Sequence, residues 1–93
     1  MASYIMALTI NPNAKKEHPD LSHHVNESIE ILTRHKIHVD QLFATLGRFD
    51  FLVMFETEDQ SQVFKAASDI NHLGVLDTET WPVIPFDEFN QII

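Results

Sequence analysis

Ninety-three residues without a cysteine make one domain and exclude both disulfides and thiolate metal centres. Fourteen acidic side chains against six basic ones give a formal charge of −8, which repels phosphate backbones and anionic lipid. The basic residues Lys15, Lys16, Arg34, Lys36, Arg48 and Lys65 form no stripe, so neither nucleic acid nor a membrane surface is expected as a partner. No apolar run approaches the ~20 residues that span a bilayer. Met1-Ala2-Ser3-Tyr4 lacks a basic segment followed by an apolar stretch, so a cytoplasmic location is expected. Hydrophobic content of 44% with seven Phe argues for a folded chain. A domain this short buries only about two thirds of its unfolded surface and often needs oligomerisation as a supplement.

Residues 3 to 10 are apolar and β-prone and stop at Asn11-Pro12, which predicts a first strand. The polar stretch Asn11 to Asp20 has no clear period and reads as a loop, with one helical turn after Pro12 as the alternative. From Pro19 to Lys36 the period turns helical: Leu21, Val25, Ile29 and Leu32 form one stripe, with His23, Asn26, Glu27, Glu30 and Arg34 opposite. Residues 37 to 46 make a second strand, and Gly47-Arg48 turns the chain into a third, Phe49 to Glu56. That third strand is apolar on both faces: Phe49, Phe51, Val53 and Phe55 on one, Leu52 and Met54 on the other. Thr57 with Gln60 has the capping-box form, Val63, Ala66, Ala67, Ile70 and Leu73 give a second helix its buried stripe, and Gly74 supplies the stop. Residues 75 to 84 make a fourth strand, ended by Pro82 and Pro85. The tail, residues 86 to 93, places Phe86, Phe89 and Ile93 at helical spacing and needs a surface to dock on.

The order βαββαβ with right-handed crossovers predicts an α+β, ferredoxin-like domain: a four-stranded antiparallel sheet with two helices on one face. Two helices cover one face only, yet the third strand is apolar on both. A second copy, laid sheet against sheet, is the expected cover, so a homodimer or higher homo-oligomer is predicted. The tail folding under the sheet is the alternative, but eight residues shield only part of it.

Leu46-Gly47-Arg48-Phe49-Asp50-Phe51 resembles the Gly-Arg-Tyr-Asp turn for which GYD-domain proteins are named. Thr78-Glu79-Thr80, a proline-containing strand end and Phe86-Asp87-Glu88-Phe89 resemble that family's C-terminal half, and the likeness runs over most of residues 3 to 89. The resemblance implies a dimeric α/β-barrel, a shape shared with small monooxygenases, muconolactone-type isomerases and amino-acid-sensing regulator domains, in a family largely without assigned function. Phe49 stands where the signature has Tyr, so chemistry that needs the phenol is not implied. The loop from Asn11 to Asp20 is also unusually rich in His and Lys.

Arg48, Asp50, Glu79 and Trp81 are the candidate ligand-binding residues. By alternation Asp77, Glu79 and Trp81 share one face of the fourth strand, and a carboxylate there needs a cation or donor, for which Arg48 is suited. The same group also fits a turn-stabilising ion pair: Gly47 at positive φ, Asp50 accepting turn N–H groups, Arg48 clamping Glu79. Six histidines raise a metal reading, with His18, His23 and His24 as candidate ligands for a divalent ion, but one helix supplies at most two of the three or four ligands zinc takes. Surface histidines at helix ends are the alternative, and no cofactor is predicted. Two glycines allow no phosphate-cradling loop, and no serine has the strand-turn-helix setting of a nucleophile. Tyr4, Phe43, Phe51, Phe55 and Trp81 are strand aromatics able to line a cavity between sheet and helices, or to be plain core. Three functions stay open: a small-molecule-binding accessory or regulatory module, a cofactor-independent monooxygenase- or isomerase-like enzyme by fold analogy, and an assembly component working through contacts with other proteins.

Overall fold

The computed structural model describes residues 1–12 and 21–93 of the chain. Its elements run β1 (Ala2–Ile10), α1 (Leu21–Arg34), β2 (His38–Ala44), β3 (Phe51–Thr57), α2 (Gln60–His72), β4 (Leu76–Val83) and α3 (Phe86–Ile92). The strands form one antiparallel sheet in the order β2-β3-β1-β4, which is the ferredoxin-like arrangement expected from the sequence. Overall dimensions of 48 × 28 × 16 Å leave room in the thinnest direction for one sheet and one helix layer.

The core lies between the sheet and the helices α1 and α2. Alternation puts Tyr4, Met6, Leu8 and Ile10 of β1 on this side, beside Val53 and Phe55 of β3 and Leu76 of β4. The helices answer with Ile31 and Leu32 from α1 and with Val63, Ala66 and Ile70 from α2. Each fully buried large side chain contributes about 1.5–3 kcal/mol. Ser28 is also fully buried on α1, and its hydroxyl donates to the His24 carbonyl at 3.0 Å, so the one polar atom it brings inside is satisfied.

Local chemistry sets the ends of the helices. The Schellman pattern closes α1, with Lys36 N–H donating to Thr33 O at 3.0 Å and Ile37 N–H to Leu32 O at 3.2 Å. Lys36 takes the left-handed position at φ 60°, where glycine is commoner, and buried Ile37 follows it directly into β2. At α2 the cap is Asp59, not Thr57. The Asp59 carboxylate accepts from the Ser61 hydroxyl at 2.7 Å and the Ser61 amide at 2.9 Å, while Thr57 Oγ1 accepts from the Asp59 amide one step earlier. Those two bonds, the hydroxyl's first, hold the Asp59 carboxyl below its ordinary 3.8. Gly74, at φ 75°, leaves the helix as predicted.

Strand β4, expected over residues 75 to 84, runs from Leu76 through Pro82 to Val83, because an edge strand tolerates a residue with no N–H. The second and third strands differ from expectation. Strand β3 begins at Phe51, which leaves Phe49 in the loop, and β2 is interrupted by a register shift between Val39 and Gln41.

Among the described residues no element forms a layer over the far side of the sheet. Across the strands run two rows, Gln41–Met54–Ile5–Trp81 and Phe43–Leu52–Ala7–Glu79, in which apolar side chains hold the centre. Met54 is 37% and Phe43 42% exposed. The tail does form a helix, but α3 has no buried residue, and Phe86 and Ile92 are among its exposed side chains. It therefore does not shield the open face. Among the described residues no helix is long and apolar enough to cross a membrane.

Candidate functional site

The signature turn is held to β1 by Asp50. Its amide donates to Leu8 O at 3.0 Å, its carbonyl accepts from Thr45 N–H at 3.0 Å, and its Oδ2 accepts from Ile10 N–H at 2.9 Å. The last bond has a structural cause. Beyond Phe51 the chain leaves the ladder, so the Ile10 amide has no backbone acceptor on that side and the Asp50 carboxylate substitutes for one. The sequence reading gave Asp50 turn amides; the structure gives it an amide forty residues away. Replacing Asp50 by Ala strands that N–H and is expected to cost about 1–3 kcal/mol, with Asn costing less. Urea unfolding of the two variants measures the difference.

Arg48, Glu79 and Trp81 do not form the ion-paired group imagined from the sequence. The Arg48 guanidinium carbon lies 5.5 Å from the centroid of the Phe49 ring, and among the described residues no ion pair joins Arg48 to Glu79. Phe49 in turn packs on Trp81, with ring centroids 6.0 Å apart at 48°. Glu79 is exposed beside Ala7, and Gly47 is not among the positive-φ residues. The turn is thus an Arg48–Phe49–Trp81 stack that reaches the open side of the sheet.

Each of the described histidines has a local setting. His23 and His24 stand with ring centroids 5.4 Å apart, and His23 Nε2 is 3.9 Å from Glu27 Oε2. His18 lies outside the described residues. His35 links the two helices, its Nε2 2.8 Å from Asp69 Oδ2 and its Nδ1 3.1 Å from Gln62 Oε1. His38 neighbours Asp40 at 3.3 Å, and His72 Nδ1 lies 2.8 Å from the Ser68 carbonyl. Among the described residues no three His, Asp or Glu side chains gather as a metal-holding group.

Among the described residues a partly enclosed recess on the helix side lies between β4 and α2, with a volume of ≈ 340 Å³. Tyr4, Gln60, Phe64, Ala67, Thr80 and Trp81 are among its walls. Tyr4 is fixed by its stack on Phe55, with centroids 5.4 Å apart and planes within 13°. Phe64, 71% exposed, stands at the rim. Thr80 Oγ1 is buried with no hydrogen-bond partner, whereas neighbouring Thr78 bonds to Asn71 Oδ1 through both its amide and its hydroxyl at 3.1 Å. Of the five strand aromatics only Tyr4 and Trp81 line this recess. Phe43 faces the open side, opposite Leu52, and Phe51 and Phe55 belong to the core side. Sequence reasoning missed Gln60, Phe64 and Thr80 as pocket residues. The available signal was Phe64, a large aromatic off the apolar stripe of α2.

These features define a small α+β domain of the ferredoxin-like class, with one covered and one open sheet face and a pocket at the β4 edge. The chain belongs to the GYD domain family, whose model matches residues 4–93. No curated protein matches it by sequence. Among solved structures it is similar to a homoserine dehydrogenase from Thiobacillus denitrificans (TM-score 0.63, 14% identity), covering 89% of this chain and 17% of that one. It is similar to MtbAldR (TM-score 0.63, 12% identity), with 90% of this chain and 53% of that one covered. It also resembles the C-terminal domain of the MgtC protein from Mycobacterium tuberculosis (TM-score 0.60, 6% identity), over 89% and 88% respectively. At these identities the likeness is one of fold. The chain spans about a sixth and about half of the first two proteins.

Proposed function

We propose that the chain is a homodimeric small-molecule-binding module with an accessory or regulatory task, its ligand held between β4 and α2. The observation that carries this reading is the pocket itself. It combines ≈ 340 Å³ of space, an aromatic floor in Tyr4 and a buried hydroxyl with no partner, and pockets that bind small molecules are mostly apolar with few placed polar groups. The fold's occurrence as a part of longer chains, 17% of the homoserine dehydrogenase and 53% of MtbAldR, supports an accessory role.

Dimerisation is the second half of the proposal, and its occupant is another copy of this chain. The rows centred on Ile5, Leu52 and Met54 and the stripe Phe86–Phe89–Ile92 on α3 are both left uncovered by the described residues of one protomer. Two sheets packed face to face lie about 10 Å apart and hide such rows from water. A specific interface buries roughly 800 Å² per partner, so in this reading the sheet face and the α3 stripe enter the interface together. A ligand at Arg48, Asp50, Glu79 and Trp81 is the alternative site, favoured by the Phe49–Trp81 stack.

Melting curves against a panel of metabolite-sized compounds test the reading, using wild type, Glu79→Gln and Ala67→Phe, the last of which fills the β4–α2 pocket. A compound that raises the wild-type Tm and the Glu79→Gln Tm equally, but not that of Ala67→Phe, supports the pocket. A rise lost in Glu79→Gln moves the site to the open face, and a panel without any rise removes the binding role.

A further inference from the structure

From the same pocket we infer its ligand class: an uncharged, mainly apolar molecule carrying a single hydroxyl or carbonyl that pairs with Thr80. This inference rests on the binding role proposed above and names what is bound.

Three observations carry it. Apart from the Tyr4 phenol, no lining side chain can ionise; the polar groups on offer are the Gln60 amide and threonine hydroxyls. A charged group brought into such a recess loses its water and finds no counter-charge. An anion meets in addition the field of a chain with net charge −8. A free amino acid, with both charges, would leave two ends unpaired.

The second observation is Thr80. It lies opposite Met6 in the register, and Met6 is wholly buried on the core side, so the Thr80 side chain points toward α2. Its Oγ1 is buried without a partner, while Thr78 on the same face is satisfied by Asn71. A change of χ1 rotamer re-aims the Thr80 hydroxyl, and a ligand hydroxyl or carbonyl in the recess that Thr80 lines then completes its hydrogen bonding.

The third is shape. The Tyr4 ring is held by Phe55, Ala67 leaves space on α2, and Phe64 stands free at the rim. These surfaces suit a flat or chain-like apolar body lying along the β4 edge.

The test uses four probes of one skeleton: 2-phenylethanol, ethylbenzene, phenylacetate and 2-phenylethylammonium. Protein NMR shifts of Tyr4 and Thr80, which line the pocket from the core side of the sheet, report binding, with melting curves as a second readout. The alcohol is expected to bind at least about tenfold more tightly than either ion. In Thr80→Val, which keeps the shape and removes the hydroxyl, alcohol affinity is expected to fall about fivefold while ethylbenzene binding is unchanged. Either ion binding as tightly as the alcohol overturns the ligand class while leaving the pocket in place. Unchanged alcohol affinity in Thr80→Val, or an equal loss for alcohol and ethylbenzene, overturns the role of Thr80. Failure of all four probes to bind folded wild type overturns the pocket reading and this inference with it.

Discussion

Replacing Met54 with Glu is expected to separate the two protomers without unfolding either. Met54 sits near the middle of the open face, between Gln41 and Ile5 in the cross-strand row, and is 37% exposed in the single chain. It points away from the core, so the helix-side packing around Val53 and Phe55 does not depend on it. In the proposed dimer a carboxylate there is stripped of water and, by the two-fold relation, lies near its own mate. A penalty of about 3 kcal/mol or more raises the dimer Kd by about a hundredfold or more. Light scattering at micromolar concentration then reports a single-chain mass for Met54→Glu, with the far-ultraviolet circular dichroism of wild type retained. A variant that keeps the wild-type mass places the interface elsewhere.

The second large effect is expected from Phe55→Ala. Phe55 is 1% exposed, among the largest fully buried side chains, and its ring stacks on Tyr4. Truncation removes the transfer free energy of the ring and leaves a cavity between β3 and the helices, a loss of about 3–5 kcal/mol. Small domains hold only about 5–15 kcal/mol in total, so much of the stability goes with one side chain. Tyr4 also loses the surface that orients it in the pocket, so ligand affinity falls in whatever protein stays folded. Urea unfolding at fixed protein concentration measures the first effect, the concentration being held because the proposed dimerisation would add to apparent stability. A loss below about 1 kcal/mol would mean that Phe55 is not at the centre of the core.

The fold was legible because its signals are local and periodic. Val25 and Leu32 gave away α1 by spacing, and both are buried, as are Val63, Ala66 and Ile70 on α2. The two-sided apolar character of β3 was visible in Val53 and Phe55 against Leu52 and Met54, and the sheet places them on opposite faces. Where the reading slipped, a tertiary feature outweighed a local one. Thr57 has the capping-box form, yet Asp59 lies two residues closer to the helix and holds Ser61 with a charge-assisted bond. Gly47 looked like the residue for a left-handed turn, and Lys36 occupies that conformation instead.

The site was far less legible. Asp50 was singled out, but its partner, the Ile10 amide, appears only when β3 leaves β1 at the end of the ladder. The pocket draws Tyr4 from β1, Gln60 and Phe64 from α2 and Thr80 from β4, so no spacing in the chain joins them. Alternation in β4 did separate Thr78 and Thr80 from Asp77, Glu79 and Trp81. What it could not show is that Asn71 satisfies one threonine and leaves the other without a partner.

Sedimentation equilibrium of the unmodified chain, run from nanomolar to tens of micromolar, probes most directly whether a second copy closes the bare side of the sheet. A mass of twice the chain at the upper concentrations, falling toward one chain on dilution, is the predicted outcome. A stable, folded species of single-chain mass throughout that range would contradict it.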